Sequence, residues 1–273
     1  MIPKKIHYCW FGGNDIPEKD KKNIESWKKF CPDYEIIRWD ETNYDVNKIA
    51  YTKEAYQCKK YAFVSDYARL DILYNEGGIY LDTDVEIIKN IDDLLDNIAF
   101  CGFEKGGIGI GLGLMCGSVA GAPILKELRD YYNDKTFLKE NGEMNLDVID
   151  VYTDGVLVPK GLKHNDEMQT IDELKIYPSE YFGTIDFYAD FETGRTANTR
   201  SLHHYNASWI SDERRKFLLS QRCLAKKYGY KTYKTGKAHK IEMFKNDIAC
   251  VKREKGVVFS LFYFLKHFWK VYF

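Results

Sequence analysis

The chain has 273 residues and a mass of 32.0 kDa, which is enough for one large domain or one domain with an extension. Hydrophobic residues make up 45% and charged residues 30%, a balance that excludes collagen-like, mucin-like and wholly disordered chains. The net charge of −1 hides an asymmetry, because residues 1–212 carry 24 Lys and Arg against 37 Asp and Glu, whereas residues 213–273 carry 16 against 4. The two parts are therefore expected to have different partners.

The first 130 residues alternate predicted strands with predicted helices. Pro17 opens an amphipathic helix that runs to Phe30, and a second helical stripe over residues 60–76 ends at a glycine pair. Apolar runs predict strands at 6–11, 34–39, 79–82 and 98–103. This alternation is typical of an α/β domain with a mainly parallel sheet. Ligands of such domains bind beyond the carboxyl ends of the strands.

Later segments are less regular. Six glycines fall within residues 106–117, which indicates that the backbone passes close to something. They do not form a dinucleotide fingerprint, because no suitable βαβ unit frames them. Residues 134–194 show no clear period, and a helix is predicted over 211–228 before a basic, aromatic tail.

The strongest chemical signal is the acidic turn that follows the strand ending at Leu81. Asp82 and Asp84 are two residues apart, so a turn there lets both carboxylates converge on one Mg²⁺ or Mn²⁺ ion. A solvated acidic turn is the alternative. Upstream, Asp66 and Arg69 are three residues apart on a predicted helix and share one face, which a surface ion pair also explains.

Three segments carry a resemblance to a known family. Residues 65–86, SDYARLDILYNEGGIYLDTDVE, closely resemble the Asp-x-Asp sugar-binding region of glycosyltransferase family 32. The opening IPKKIHYCWFGG and the later LHHYNASW are similar to that family's N-terminal and C-terminal signatures, so the resemblance spans roughly residues 2–210. A more distant similarity reaches the glucosylating domains of large clostridial toxins.

This resemblance implies a glycosyltransferase A-type fold, which is a Rossmann-like α/β domain for nucleotide sugars. It also implies a UDP- or GDP-linked donor, Mn²⁺ or Mg²⁺ as cofactor, and retention of anomeric configuration. Asp82 and Asp84 match the motif that binds the metal and the diphosphate. Asp66 and Arg69 match positions that contact the donor sugar, and these four residues form the implied catalytic group.

Further positions match the nucleotide-sugar site. Trp10 matches a tryptophan that stacks on the base, and Tyr80 lies beside the acidic turn. Related transferases place a C-terminal histidine on the metal, and the spacing to Trp209 favours His204 over His203. Since neighbours on a strand face opposite ways, only one of these histidines is expected in the site. The implied water-excluding cap consists of Asn206, Ser208 and Trp209.

Residues 1–212 are expected to form the catalytic domain and residues 213–273 a basic, aromatic, helical extension. The extension has the composition of a segment that lies on an anionic membrane surface. A helix docked on the catalytic domain and an oligomer contact are the alternatives, and no recognised module supports nucleic acid. Without a signal-like N-terminus, a long apolar span or a CxxC pair, the chain is expected in the cytoplasm, peripheral on the inner face of the cell membrane.

The sequence therefore predicts a metal-dependent retaining glycosyltransferase. It would move a hexose from a nucleotide sugar to a glycan or lipid-linked oligosaccharide in bacterial surface polysaccharide synthesis, for capsule or lipopolysaccharide. One alternative is a haloacid dehalogenase-like phosphotransferase, whose motif carries Thr or Val where this chain has Glu86. The other is a non-catalytic glycan-binding protein, which would not need Trp10, Arg69 and His204 together.

Overall fold

The computed structural model describes residues 1–107, 109–145, 152–207 and 210–229, and further short stretches at 244–245, 248–249, 251–253 and 260. The chain divides into two compact units, Met1–Thr184 with Gly194–His204, and Ile185–Thr193 with Tyr205–Phe273. This division falls before the predicted boundary at residue 212. Most of the basic, aromatic tail lies outside the described residues. Among the residues described, no helix is long and apolar enough to cross a membrane.

A seven-stranded sheet forms the centre of the first unit. Its strands and those beside it are β1 Lys5–Cys9, β2 Glu35–Trp39, β3 Gly78–Tyr80, β4 Val85–Ile87, β5 Ala99–Gly102, β6 Cys116–Ser118, β7 Gln169–Ile171, β8 Leu174–Tyr177 and β11 Ser201–His203. The strand order is β2-β1-β3-β6-β5-β8-β7, and β4 pairs separately with β11. Helices accompany the sheet, so the predicted α/β class is confirmed.

The sheet is mixed rather than mainly parallel, which corrects the expectation. Strand β1 is parallel to both β2 and β3, and β5 is parallel to β8. Strand β6 lies antiparallel between β3 and β5. It follows β5 through the glycine-rich segment, without the helical crossover that a parallel neighbour requires.

The α-helices described in this unit include α1 Glu18–Phe30, α2 Ala50–Gln57, α3 Tyr61–Glu76 and α4 Pro123–Asp130. Helix α3 is buried along most of its length and packs on α2 and α4. It ends at Gly77, whose φ of +66° is a backbone conformation that glycine adopts without strain. The next residue begins β3, so this turn sets where the acidic segment leaves the sheet.

The described residues of the second unit include a short antiparallel strand pair and a long helix. Strands β9 Ile185–Asp186 and β10 Phe191–Glu192 form the pair, and α5 Asp212–Tyr228 is the helix. The Ser211 side chain accepts a hydrogen bond from the backbone N–H of Arg214 and caps the helix. The predicted helix over 211–228 is therefore confirmed.

Candidate active site

Helix α1 holds the acidic turn at the carboxyl end of β3. The Asn23 side chain donates to the carbonyl oxygen of Thr83 at 2.9 Å, and the Thr83 hydroxyl donates to Asp20 at 3.3 Å. The Trp27 indole donates to the carbonyl oxygen of Val85 at 2.7 Å. Polar residues on the buried face of this helix therefore have a function in the fold, because they supply partners for a turn that leaves its sheet.

One guanidinium joins the helix α3 carboxylate to the acidic turn. Arg69 Nη2 lies 3.0 Å from Asp66 Oδ1 and 3.1 Å from Asp82 Oδ1. Tyr80 donates from its hydroxyl to the same Asp82 oxygen at 3.1 Å, and the Arg69 guanidinium lies 5.0 Å from the Tyr80 ring centre. Because Arg69 is only 6% exposed, this is a buried network and not the surface pair that the spacing alone also allowed.

The charges of this network are set by burial and by each other. Burial raises the pKa of Asp66 to about 6, although Arg69 acts to lower it, and Asp82 raises it further. Burial acts to lower the pKa of Arg69, but Asp82 and Asp66 hold it well above its ordinary value. Arg69 therefore remains a cation, whereas Asp66 gains its charge close to neutral pH.

The two adjacent histidines have different partners. Strand β11 pairs antiparallel with β4, and His203 lies opposite Val85. His203 Nε2 is 2.9 Å from Asp84 Oδ1, whereas His204 Nε2 is 3.0 Å from Glu86 Oε2. The expectation that favoured His204 is thus corrected, because the strand register directs His203 toward the aspartates and His204 away from them.

Asp82, Asp84 and His203 form a cluster that fits a divalent cation. Each offers one ligand atom, and these atoms lie within 4.8 Å of one another. Ligands of an octahedral ion at about 2.1 Å lie roughly 3–4 Å apart, so small side-chain rotations suffice. Two carboxylates and one imidazole suit Mn²⁺ or Mg²⁺. The predicted metal ligands Asp82 and Asp84 lie in this cluster, and His203 stands where His204 was predicted.

His203 is held as a cation in the metal-free site. Burial alone acts to lower its pKa, but the carboxylate of Asp84, with smaller contributions from Glu104 and Asp82, raises the pKa to about 9. A bound metal ion would replace this proton, since only neutral imidazole is a ligand.

The glycine-rich segment passes directly against Asp82. The backbone N–H of Asp82 donates to the carbonyl oxygen of Gly113 at 3.1 Å. A Cβ atom at Gly113 would lie 2.1 Å from Asp82 Oδ2. Glycine is therefore required here so that the main chain can approach the carboxylate. This gives the segment a role that its sequence, which is poor in polar side chains, did not reveal.

The remaining predicted residues are distributed as follows. Trp10 follows β1 at the same edge of the sheet, is half-buried, and donates from its indole to the carbonyl oxygen of Asn14 at 2.7 Å. Asn206 belongs to the second unit. Ser208 and Trp209 lie outside the described residues. The roles of these four residues in donor binding stay predictions.

Comparison with known proteins finds a family match over the segment that carries the acidic turn. Residues 17–101 match the family described as a glycosyltransferase sugar-binding region containing a DXD motif. This stretch includes Asp66, Arg69 and the whole acidic turn, and it confirms the resemblance to family 32. The chain therefore carries a region similar to the sugar-binding region of glycosyltransferases.

Three curated relatives carry the comparison further. An uncharacterised glycosyltransferase of Acanthamoeba polyphaga mimivirus is 27% identical over 77% of this chain and 84% of its own length. Inositol phosphoceramide mannosyltransferase 3 of Schizosaccharomyces pombe is 36% identical over 34% of this chain. A Legionella pneumophila protein named subversion of eukaryotic traffic protein A is 31% identical over 31% of this chain. The chain spans only 27% and 17% of the lengths of the latter two.

Among solved structures, the PaToxG glycosyltransferase aligns with 58% of this chain and 70% of its own, at 22% identity and a TM-score of 0.45. This alignment is loose. The similarity to glycosyltransferases rests on the matched region and on the curated relatives.

Proposed function

We propose that the chain is a metal-dependent, retaining hexosyltransferase. It transfers a hexose from a UDP- or GDP-linked donor to a glycan or lipid-linked saccharide acceptor in the synthesis of surface polysaccharide. The observation that carries this proposal is the convergence of Asp82, Asp84 and His203 beside the Arg69 network at the edge of the sheet. This edge lies beyond the carboxyl ends of parallel strands β1 and β3, where ligands of α/β sheets bind.

Each residue of the site has a separate role in the proposed reaction. Asp82, Asp84 and His203 would hold Mn²⁺ or Mg²⁺, which supplies positive charge against the diphosphate leaving group as the glycosidic bond breaks. The Arg69 guanidinium donates hydrogen bonds to the nucleotide sugar from a fixed position, because Asp66 and Asp82 hold it there. Asp66 accepts hydrogen bonds from sugar hydroxyls. These groups come from α3, the turn after β3 and β11, so the fold orients the donor before reaction.

Residues outside this network complete the donor site in the proposal. Trp10 offers its flat ring to the nucleotide base, and the resemblance to family 32 assigns Asn206, Ser208 and Trp209 to a cap that excludes water. Tyr80 is buried and acts through Asp82, to which its hydroxyl donates. It is therefore a positioning residue for the acidic turn.

The relatives support a choice of donor and acceptor. The Schizosaccharomyces pombe relative is named as a mannosyltransferase that acts on inositol phosphoceramide. We therefore place GDP-mannose first among the donors and a lipid-linked acceptor first among the acceptors. An acceptor of this kind is consistent with a cytoplasmic enzyme whose basic tail, net +12 over residues 213–273, binds the anionic inner face of a membrane.

Donor hydrolysis by the purified chain tests this proposal. UDP- and GDP-linked glucose, galactose, mannose and their N-acetylated forms are each incubated with Mn²⁺, Mg²⁺ or EDTA, and nucleotide release is measured. The proposal predicts release from one donor, accelerated by the metal and stopped by EDTA. Release that EDTA leaves unchanged would contradict the metal site. Neither release nor a donor-dependent rise in melting temperature with any donor would contradict the donor assignment.

A further inference from the structure

Glu41 lies at the same edge of the sheet as the acidic turn. Strands β2, β1 and β3 are neighbours in that order and run parallel. The segments that follow them therefore leave the sheet side by side, with adjacent strands about 4.8 Å apart. The register pairs Cys9 with Trp39, which places Trp10 level with Asp40. Glu41 is thus one residue beyond the level of Trp10, the tryptophan predicted to stack on the base.

A backbone hydrogen bond fixes the Glu41 carboxylate against the loop after β1. The Gly12 N–H donates to Glu41 Oε1 at 2.6 Å. Gly12 has a φ of +95°, and a Cβ atom there would lie 2.2 Å from the Tyr61 ring, so this approach requires glycine. Because Gly12 is two residues from Trp10, the carboxylate lies close to the backbone of that tryptophan.

The turn that carries Glu41 is held in shape by its own side chains. Asp40 accepts hydrogen bonds from the backbone N–H and the hydroxyl of Thr42 at 2.9 and 2.6 Å, and it pairs with Arg38 at 2.9 Å. Asn43 accepts from the backbone N–H of Asp40 and donates to the carbonyl oxygen of Arg38, each at 2.9 Å. Since the turn is already ordered, a ligand that binds Glu41 has little chain entropy to offset.

The Glu41 carboxylate can accept further hydrogen bonds. Glu41 is exposed, and an ionised carboxylate has about four acceptor sites and no donor. The Gly12 N–H occupies one, and the Tyr56 hydroxyl, whose pKa Glu41 raises through a hydrogen bond, occupies another. Trp10, Tyr56 and Tyr61 are half-buried, and the rings of the two tyrosines are 5.5 Å apart. Flat rings and an acceptor-only group together suit a planar base that presents N–H donors.

We propose that Glu41 recognises guanine as the base of the donor by accepting hydrogen bonds from its N1–H and 2-amino groups. The inference rests on the proposed function, in which Trp10 stacks on the base, and it decides between UDP- and GDP-linked donors. Guanine presents these two donors side by side on one edge, and a carboxylate accepts both. Uracil presents one N–H between two carbonyl oxygens, which a carboxylate repels. The site therefore prefers GDP to UDP.

The order of the strands also orients the rest of the nucleotide. With the base at the loops after β2 and β1, the ribose and the diphosphate extend toward the next strand, β3. The turn after β3 carries Asp82 and Asp84, which the proposed function assigns to the metal and the diphosphate. One nucleotide thus spans three adjacent strand ends, and Glu41 contacts only its base.

Calorimetric titration with GDP, inosine diphosphate and UDP, each with Mn²⁺, tests this inference. Inosine diphosphate differs from GDP only in lacking the 2-amino group. The proteins are the wild-type chain, Glu41→Gln and Glu35→Gln. Glutamine keeps a carbonyl oxygen for the Gly12 N–H but brings an amide N–H₂ group toward the donors of guanine. Glu35 is exposed at the opposite end of β2 and is the matched control.

We expect the wild type to bind GDP more tightly than UDP, and roughly ten-fold or more tighter than inosine diphosphate, the value of one hydrogen bond to a charged acceptor. Glu41→Gln should weaken GDP binding by roughly 10- to 100-fold. Its ratio of affinities for GDP and inosine diphosphate should fall close to one. UDP binding should change little, and Glu35→Gln should behave as the wild type.

The possible failures are distinguishable. A wild type that binds inosine diphosphate as tightly as GDP, or UDP more tightly than GDP, would overturn the guanine assignment and leave the hexosyltransferase function standing. Equal weakening of all three nucleotides in Glu41→Gln would show that Glu41 only holds the loop, which also overturns the assignment. If the wild type binds none of the three, the proposed function fails and the inference fails with it.

Discussion

Arg69 separates two polar neighbourhoods that differ in how their atoms are satisfied. Toward the acidic turn, Asp82 accepts hydrogen bonds from Arg69 and Tyr80, and the backbone of Gly113 closes against it. Among the tyrosines, the hydroxyls of Tyr51 and Tyr132 are buried with no partner in the described chain. The first neighbourhood is completed by groups of the protein, whereas the second leaves two buried hydroxyls without a partner in the described chain.

Because of this difference, the two neighbourhoods should respond differently to mutation. Removing a group from the acidic turn leaves other buried groups unpaired. Donor turnover should therefore fall steeply, and the free energy of unfolding should fall where a hydrogen bond is lost. Removing the hydroxyl of Tyr51 or Tyr132 should not lower the free energy of unfolding. Each of the following predictions tests one side of this contrast.

The largest effect is expected from Asp84→Ala. It removes one proposed metal ligand and the carboxylate that lies 2.9 Å from His203. We expect donor turnover to fall by at least about 10²–10³-fold, the scale of losing one electrostatic contact to the reacting group. Glu86→Gln is the matched control, since Glu86 lies two residues on and pairs with His204 instead. Steady-state kinetics measure this loss, and an Asp84→Ala enzyme as active as the wild type would refute the metal assignment.

Gly113→Ala should have the next largest effect. The added methyl group would lie 2.1 Å from Asp82 Oδ2, so either the carboxylate or the backbone must move. A displacement of about 1 Å can cost roughly 10²-fold in rate. Gly183→Ala serves as the comparison, because its new methyl group also makes a tight contact, 3.1 Å from the Phe103 carbonyl oxygen, but away from Asp82. Equal kcat/KM for the two variants would show that the close approach at Asp82 is unimportant.

The affinity of the site for Mn²⁺ should rise with pH. The pKa of His203 is raised to about 9 in the metal-free protein, above its ordinary 6.5, and the metal must displace that proton. Affinity should therefore increase by up to about ten-fold per pH unit and level off near pH 9. The stabilising contact with Asp84 is fully present below pH 6.5 and is lost as pH approaches 9. Titration calorimetry between pH 6.5 and 8.5 measures the slope, which His203→Gln should reduce.

The smallest effect is expected on stability. Asn23→Ala removes the 2.9 Å hydrogen bond to the Thr83 carbonyl oxygen and should lower the free energy of unfolding by about 1 kcal/mol. Tyr132→Phe should lower it by nothing measurable. Urea denaturation of the two variants compares the neighbourhoods directly. If Tyr132→Phe is the more destabilised of the two, the contrast between them is wrong.

Local patterns predicted much of the framework. Helices α1 and α3 and strands β1 and β3 begin and end within two residues of the predicted bounds, because each has a clear apolar period and glycine or proline at an end. Helix α3 also carries Asp66 and Arg69 at a spacing that sequence shows directly. All of these features depend only on residues that are close to one another in the sequence.

The features that were not predicted depend on contacts between segments that are far apart in the sequence. Whether His203 or His204 meets the aspartates is set by the register of β11 on β4, and a shift of one residue would exchange them. The role of Gly113 depends on its approach to Asp82, and the tyrosines of the second neighbourhood come from α2 and from the end of α4. None of these distances can be read from spacing along the chain. The antiparallel insertion of β6 was missed for the same reason.

The central claim is that Asp82, Asp84 and His203 hold one metal ion for the donor. Electron paramagnetic resonance of free Mn²⁺, titrated with the chain in the presence of a nucleoside diphosphate, tests it most directly. We expect the wild type and His204→Gln each to bind one Mn²⁺ per chain, and His203→Gln to bind it at least roughly 10- to 100-fold more weakly, the scale of weakening at metal sites. Equal weakening by the two histidine variants, or no bound Mn²⁺ in the wild type, would contradict it.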